Sequence, residues 1–346
     1  MQELTILIPS YNRHAYLKRQ IAFWGNQPVI VIILDGSDTP LPKKEKFAPN
    51  INYYHMRMSL AQRLAEGGTM IKTKFVILLA DDELYIPSAL HACVSFLQNN
   101  LEYSSCKGLY VGFRRNRYKS RIEAVDQTGG LRGYHVSADT PCKRVAQHFN
   151  PYALASIYAV HRTEVFTQIA RLLHFERAYS CAASIEIQIS LVVAWMGKIK
   201  VLDQLMWLRS SENPNITWAE GRVDTGIWLH DPKYSEEISF LVNDFLSLFF
   251  DVPPDPASLY SVKETLQAFA EKRIARLKDE QVRNFFQKYQ FMIWMALGER
   301  VRAMLRPLLG TNQTLLVLAG RLMQSGVFVD MDELKNINSF LMNFDV

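Results

Sequence analysis

Two short apolar runs constrain the fold of this chain more than any other feature. VIVIIL (Val29 to Leu34) and FVILL (Phe75 to Leu79) are apolar at every position and are bounded by turn residues. Strands with one face in water alternate apolar and polar residues, whereas strands covered on both faces do not. We therefore expect both runs to be strands inside a sheet that is covered by helices.

Other strand-like runs, such as Leu4 to Pro9, Ile51 to His55 and Ala153 to Val160, alternate with helix-like segments, while residues 114–140 form a polar excursion. This alternation predicts an α/β fold with a doubly wound, mostly parallel sheet. Helix-like segments dominate from about residue 233, which predicts a C-terminal all-helical region over residues 233–346. Two of those segments run from Ser261 to Lys278 and from Glu280 to Leu297.

Polar clusters follow three of the predicted strands. They are PSYNR (residues 9–13), DGSD (residues 35–38) and ADDE (residues 80–83). Each cluster alone also suits a turn or the start of a helix. Because parallel strands end at one edge of their sheet and ligands bind there, the three clusters together predict a binding site on one rim.

The last of these clusters places three carboxylates in a row, Asp81, Asp82 and Glu83, directly after a buried strand. Their mutual repulsion needs compensation, and oxygen ligands of this kind suit Mg²⁺ or Mn²⁺. Magnesium usually takes one or two carboxylates and completes its shell with water and phosphate oxygens. The acid run therefore indicates a phosphorylated ligand, such as a nucleoside diphosphate.

Four segments, ILIPSYNR, ILDGS, SLAQRLAEG and VILLADDEL, together resemble the nucleotide-sugar-binding half of family 2 glycosyltransferases, which have the GT-A fold. The resemblance covers residues 4–113 and weakens towards residue 210. It implies a GT-A domain over residues 1–232, with a nucleotide-binding half (1–113) and an acceptor half (114–232). The site residues that it implies are Pro9, Tyr11, Arg13 and Asp35 for the nucleoside, Arg63 for the diphosphate, and Asp81, Asp82 and Glu83 for the diphosphate and its metal.

Which two of the three acids coordinate the metal is left open, although Asp82 aligns with the family's metal ligand. The resemblance further implies an inverting transfer that depends on Mn²⁺ or Mg²⁺, a UDP- or GDP-sugar donor, and a glycan, surface polysaccharide or lipid-linked acceptor. Glu186 is the best match to the family's general base, with Glu176 and Asp139 as rivals. His230 lies where the family sometimes adds a metal ligand, but a lone histidine also suits an ordinary hydrogen bond.

Two other functions compete with this interpretation. A catalytically degenerate nucleotide- or glycan-binding protein would explain why Asp35 is a single acid and why Glu186 stands outside the family's usual acidic dipeptide. A sugar-nucleotide pyrophosphorylase would carry a glycine-rich loop after the first strand, where this chain has PSYNR.

Composition limits the cellular context. A net charge of +5 is too mild to predict nucleic-acid binding, and four scattered cysteines predict neither a zinc site nor a disulfide framework. The sequence shows no signal peptide and no apolar stretch long enough to span a bilayer, so we expect a cytoplasmic protein, at most peripheral at the inner face of the membrane. Basic and aromatic residues between Lys272 and Arg306 suit either contact with anionic lipids or a helical bundle. A homodimer is compatible with these features.

Overall fold

The structure is a computed structural model that describes residues 3–25, 27–42, 46–116, 118, 120–212, 223–250, 255–296 and 313–344, with only the backbone described at 278 and 280–296. The strands are β1 (Leu4–Ser10), β2 (Ile30–Asp35), β3 (Ile51–His55), β4 (Phe75–Leu78), β5 (Leu84–Tyr85), β6 (Tyr103–Asn116), β7 (Arg121–Asp126), β8 (His135–Val136), β9 (Val160–Arg162), β10 (Lys198–Ser210) and β11 (Gln313–Thr314). The helices are α1 (His14–Trp24), α2 (Leu60–Met70), α3 (Pro87–Asn99), α4 (Pro141–Phe149), α5 (Thr163–Leu173), α6 (Ser184–Met196), α7 (Thr225–His230), α8 (Ser235–Leu246), α9 (Pro256–Ala296), α10 (Leu315–Gln324) and α11 (Met331–Asn343).

Four parallel strands form one side of the sheet in the order β3, β2, β1, β4. Leu7 in β1 pairs with Ile32 on one side and with Leu78 on the other. Nearly all residues of β1, β2 and β4 are buried, as the unbroken apolar runs predict. These four strands therefore end at one edge of the sheet, which we call the rim.

The second half of the sheet brings two more strands to the rim. The short strand β9 pairs antiparallel with both β4 and β6, so β6 runs in the same direction as β4. Strand β10 pairs parallel with β6, and therefore ends at the rim as well. The prediction of a mixed α/β fold with a parallel central sheet and C-terminal helices is confirmed.

Several antiparallel strands depart from the sequence prediction. The excursion over residues 114–140 contains the end of β6 and all of β7 and β8, and β7 pairs antiparallel with β6. The strand expected from Ala153 to Val160 was wrong, since β9 begins only at Val160. Glu123 makes the sequence of β7 polar, although the residue is buried. It can be buried because its carboxylate accepts hydrogen bonds from Arg114 and Arg121.

The C-terminal region packs against the first half of the chain. Helix α9 is continuous where two helices were expected. Strand β11 pairs with β7, the Phe340 ring of α11 lies 5.3 Å from Phe23 of α1, and the Glu333 carboxylate accepts a hydrogen bond from the backbone of Ser88. Within the described ranges, no helix is both long and apolar enough to cross a membrane. Most side chains of the basic and aromatic segment from Lys272 to Arg306 lie outside the described residues.

Candidate functional site

The three polar clusters predicted from the sequence meet at the rim. The Ser10 hydroxyl after β1 donates to Asp81 Oδ2 after β4, over 2.7 Å. The backbone N–H of Asn12 donates to Ser37 Oγ over 2.8 Å, and the Asn12 amide donates to Asp38 over 2.9 Å. Asn12 has a φ of +54°, a conformation that asparagine tolerates better than most residues. The shared rim expected from the sequence is therefore confirmed.

One guanidinium group joins two of the three consecutive acids. Arg13 Nη1 lies 2.9 Å from Asp81 Oδ1 and 3.4 Å from Asp82 Oδ2. Burial raises the pKa of Asp81, although the hydrogen bond from Ser10 and the charge of Arg13 oppose that rise. We call Asp81, Asp82 and Arg13 the acidic corner. The guanidinium group of Arg13 offsets one of the two carboxylate charges, and 21% of the Arg13 side chain is accessible to solvent.

Helix α1 fixes the backbone under the acidic corner. Gln20 is fully buried, and its amide donates to the carbonyl oxygens of Asp81 and Glu83 over 2.8 and 2.6 Å. Arg19 is 2% exposed and donates to the carbonyl oxygen of Asp82 over 2.7 Å. Polar residues occupy the inner side of α1 because they bind the carbonyl groups of this turn.

The third acid points away from the other two. Trp207 Nε1 in β10 donates to Glu83 Oε2 over 2.8 Å, and Lys107 Nζ in β6 lies 4.4 Å from the centre of the same indole ring. Burial, reinforced by the charge of Asp82, raises the pKa of Glu83 to about 8. Burial also lowers the pKa of Lys107 to about 7, although Glu83 and Glu186 oppose that shift. Glu83, Lys107 and Trp207 form what we call the buried cluster.

The acidic corner fits a divalent cation in part. One nitrogen of the Arg13 guanidinium group reaches both Asp81 and Asp82. A cation at that position could therefore bind both carboxylates and complete its shell with phosphate oxygens. Glu83 is directed to Trp207 instead, and His230 contacts Gln267 at 2.7 Å. Among the residues that the structure describes, no three His, Cys, Asp or Glu side chains are grouped so that they could hold a metal ion. Glu83 and His230 as metal ligands stay predictions, and the structure does not bring them to Asp82.

Asp35 already has a full set of local partners. Its carboxylate is completely buried and accepts hydrogen bonds from Ser37 N over 2.9 Å, from the Ser37 hydroxyl, and from the Tyr53 hydroxyl over 2.7 Å. Burial alone would raise the pKa of Asp35, but these hydrogen bonds hold it below the usual value. His14 Nε2 lies 3.4 Å away. A nucleoside contact by Asp35 stays a prediction, and it would require a neighbouring side chain to move, because the carboxylate is completely buried.

The other residues predicted for the nucleoside, Tyr11 and Pro9, and Arg63, predicted for the diphosphate, have different surroundings. Tyr11 directly follows β1 and is 51% exposed, as a side chain that packs on a base would be. Pro9 is part of β1 and is aligned with Leu34 of β2. Arg63 in α2 is 5% exposed, and its Nη1 donates to the carbonyl oxygens of Ser10 and Leu34 over 2.5 and 2.7 Å. Arg63 thus holds the ends of β1 and β2 together from below the rim.

The predicted general base opens helix α6. Glu186 is partly buried, and the Tyr152 hydroxyl donates to its carboxylate. Burial raises the pKa of Glu186, while that hydrogen bond and the charges of Lys107 and Arg209 oppose the rise. A carboxylate with a raised pKa is better suited to accept a proton near neutral pH. The rival Glu176 is exposed and accepts a hydrogen bond from Gln62.

Several residues of the site escaped the sequence analysis. Ser10 and Asn12 stand inside the PSYNR motif, so their position was the available signal. Lys107 is the one cation of β6 that precedes Arg114, among mainly apolar residues, and a lysine in such a run is unusual. Tyr53 and Trp207 give no signal, because aromatic residues are common in buried strands.

Comparisons with known proteins assign no family to the chain. No protein-family model matches it, and no curated protein matches it. Among solved structures, residues 1–349 of TarS from S. aureus in complex with UDP-GlcNAc match with a TM-score of 0.49 and 13% identity, over 76% of this chain and 71% of that one. The same TarS fragment matches with a TM-score of 0.44, at 13% identity alone and at 14% identity in complex with UDP, over 79% of this chain and 91% of that one in both cases. Similarity at this level assigns no activity to the chain.

Proposed function

We propose that this chain is a glycosyltransferase that moves a sugar from a nucleoside-diphosphate donor to a glycan, surface polysaccharide or lipid-linked acceptor. The observation that supports the proposal is the contact between the polar segments after β1, β2 and β4, where Ser10 donates to Asp81 and Asn12 to Ser37. Ligands of open α/β sheets bind beyond such strand ends. The resemblance of the same three segments to family 2 glycosyltransferases gives this rim its proposed ligand.

The proposed roles follow from the partners of each side chain. Tyr11 packs on the base. Arg13 leaves the acidic corner and binds the diphosphate. Once a metal ion occupies the two carboxylates, the diphosphate is the better partner for the guanidinium group. Asp82, supported by Asp81, holds Mn²⁺ or Mg²⁺. When bound, that ion stabilises negative charge on the departing diphosphate.

Glu186 is the proposed base of an inverting transfer. The acceptor oxygen forms a bond to the anomeric carbon, the bond from that carbon to the diphosphate oxygen breaks on the opposite face, and the hydroxyl proton passes to the Glu186 carboxylate. Tyr152 orients this carboxylate through its hydrogen bond. The reaction balances without any oxidant or further co-reactant.

A panel of nucleotide sugars, incubated with the protein and Mn²⁺, tests the proposal by release of the nucleoside diphosphate. Asp82→Asn should lower the rate at least about a hundredfold, since charge stabilisation of the leaving group is lost. Asp332→Asn is the matched control, because the Asp332 side chain is 90% exposed on α11, and it should leave the rate unchanged.

Calorimetric titration with UDP and GDP separates the competing function. Nucleotide binding without turnover of any donor, in the presence of glycan acceptors, would identify a degenerate nucleotide-binding protein. The pairing of Arg13 with Asp81 and Asp82 is the observation that favours this second function, because these carboxylates then have a cation of the chain itself as partner. Absence of both binding and turnover would contradict both functions.

A further inference from the structure

Residues 152–156, which we call the Tyr152 segment, lie between α4 and β9 and contact the helix that carries Glu186. The Tyr152 hydroxyl donates to the Glu186 carboxylate and lies 3.3 Å from Ser190 Oγ. Ser156 Oγ lies 2.7 Å from Ser190 Oγ, and both serines are fully buried. Because Glu186 and Ser190 are one turn apart on α6, these contacts hold both ends of the segment along the helix.

Lys107 of β6 holds the middle of the Tyr152 segment. Its Nζ donates to the carbonyl oxygen of Leu154 over 2.7 Å. The same Nζ lies 4.4 Å from the centre of the Trp207 ring and 5.3 Å from that of Tyr110, which belong to β10 and β6. The ammonium group is therefore fixed by aromatic rings of the sheet, and through Leu154 it joins the Tyr152 segment to the sheet.

A lysine at this position costs stability unless its contacts compensate. Lys107 is completely buried, so its ammonium group has lost its hydration and its long side chain has lost rotamer freedom. Ionisable groups that are buried beside specific partners are concentrated at functional sites. The partner that leads from Lys107 towards the proposed site is the Leu154 carbonyl, two residues from Tyr152.

We infer that Lys107 and Ser190 are positioning residues for the proposed base, because together they hold the Tyr152 segment, and with it the Tyr152 hydroxyl, against Glu186. Both act through Tyr152 and not by contact with a substrate. A displacement of about 1 Å at a reacting group can lower a rate about a hundredfold, so such support is worth its cost. The inference rests on the proposed function only where it calls Glu186 a base.

Several elements direct charged or titratable groups at the Glu186 carboxylate. Burial raises the pKa of Glu186, and the hydrogen bond from Tyr152 and three positive charges oppose that rise. Weakening the hydrogen bond therefore raises the pKa of Glu186 further, and so does removing one of the charges. The groups that act on this carboxylate include Lys107 of β6, Tyr152 and Tyr158 before β9, Cys181 before α6, Arg209 of β10 and Arg273 of α9.

NMR of protein labelled with ¹³C at tyrosine Cζ tests the positioning without any turnover. The Tyr152 resonance is identified by its loss in Tyr152→Phe, whose ring should stay in place against Phe149 and Phe269, with ring centres 5.6 and 5.3 Å away. In the wild type, this resonance should titrate with the Glu186 carboxylate that its hydroxyl contacts. Glu186→Gln should remove the titration.

The positioning variants should move that titration. Lys107→Met and Ser190→Ala should each shift the midpoint to higher pH, since the hydrogen bond from Tyr152 to the ionised carboxylate is weakened. Lys143→Met on α4 and Ser339→Ala on α11, both at exposed residues, are the matched controls and should leave the midpoint unchanged. An unmoved midpoint in a folded positioning variant would overturn the inference, and Ser190→Ala alone decides if Lys107→Met does not fold.

Initial rates with a nucleotide-sugar donor connect the positioning to catalysis. Ser190→Ala and Lys107→Met should lower kcat at least about tenfold and leave the donor KM and the affinity for UDP unchanged, because only the base is displaced. Added to Tyr152→Phe, Ser190→Ala should cause little further loss, since both act through one hydroxyl. A shifted midpoint with wild-type kcat, or additive losses in the double variant, would also overturn the inference. Shifted midpoints in a protein that turns over no donor would contradict the proposed function alone.

Discussion

Asp82 and Glu83 are adjacent in the sequence, but their carboxylates belong to regions that manage charge in different ways. In the acidic corner, the balancing cation is Arg13, whose side chain reaches solvent and can be exchanged for a ligand. In the buried cluster, Glu83 accepts a hydrogen bond from Trp207, and Glu83, Trp207 and Lys107 are all buried. A run of acids that the sequence suggests to be one site therefore divides into a binding region and an internal one.

The acidic corner and the buried cluster also differ in their contribution to the stability of the fold. The ionisable groups of the buried cluster are removed from water, and burial shifts the pKa values of Glu83 and Lys107 towards their neutral forms. Even a fully charged buried pair often stabilises a protein less than apolar residues of the same volume would. Charges in the acidic corner stay partly hydrated, so their desolvation is incomplete until a ligand binds. We expect substitutions in the acidic corner to change binding, and substitutions in the buried cluster to change stability.

The largest effect on stability is expected at Gly36, which lies next to the guanidinium group of Arg63. A Cβ atom on Gly36 would lie 2.6 Å from Cζ of Arg63, so the guanidinium group would have to leave the carbonyl oxygens of Ser10 and Leu34. Gly36→Ala should lower the free energy of unfolding by about 2–3 kcal/mol, measured in urea, because hydrogen bonds from a charged donor are lost.

Gly129→Ala provides the matched control, since a Cβ there meets nothing within 4 Å, and it should change stability by less than about 0.5 kcal/mol. Gly36→Ala should also weaken nucleotide binding, because the ends of β1 and β2 would move. If Gly36→Ala were as stable as the control, Arg63 would not be what fixes the rim.

The rim was predictable from the sequence and the buried cluster was not, for a physical reason. Parallel strands bring their ends to one edge whatever the details of packing, so PSYNR, DGSD and ADDE could be placed together from strand order alone. The orientation of Glu83 depends on Trp207 and Lys107, which are far away in the chain. Short-range patterns do not record such pairings.

The same limit explains what was missed around the site. Strand β7 lacks an apolar pattern because its buried Glu123 is paired with arginines of β6 and β7. The nucleoside contact predicted for Asp35 did not take account of Tyr53, which donates to its carboxylate from the neighbouring strand. In both cases a partner on a neighbouring strand changed the meaning of a polar residue.

A double substitution in the buried cluster tests the contrast between that cluster and the acidic corner. Lys107→Met with Glu83→Gln removes both charges, keeps an acceptor for Trp207 Nε1, and leaves the Leu154 carbonyl without its donor at 2.7 Å. We expect the double variant to gain about 1–2 kcal/mol in free energy of unfolding, because no ionisable group then has to be held out of water.

The two single variants complete a thermodynamic cycle and give the coupling energy between Lys107 and Glu83. Lys143→Met, at an exposed lysine of α4, controls for the added methionine. A double variant clearly less stable than the wild type would show that the buried charges hold the fold together, and the contrast between the two regions would disappear.

The smallest effect concerns a buried neutral group on the same side of the fold as Glu186. His148 in α4 is fully buried, its Nδ1 lies 2.6 Å from the Tyr134 hydroxyl, and burial lowers its pKa to about 3. The unfolded chain takes up a proton on this ring near pH 6.5, but the folded chain does not until about pH 3. Stability is therefore lost as the pH falls below 6.5, with a limiting slope of about 1.4 kcal/mol per pH unit.

His148→Asn keeps an acceptor near the position of Nδ1 but cannot be protonated, so it should remove this contribution. Between pH 6.5 and 5.5, the wild type should lose about 1 kcal/mol more than the variant in urea unfolding. Carboxylates and His161, whose pKa is also lowered to about 3 by burial, titrate alike in both proteins and cancel in the difference. His91→Gln, at an exposed histidine of α3, should keep the wild-type slope. Equal slopes in wild type and His148→Asn would mean that His148 accepts its proton in the folded state, and that this part of the interior adapts to charge as readily as the acidic corner does.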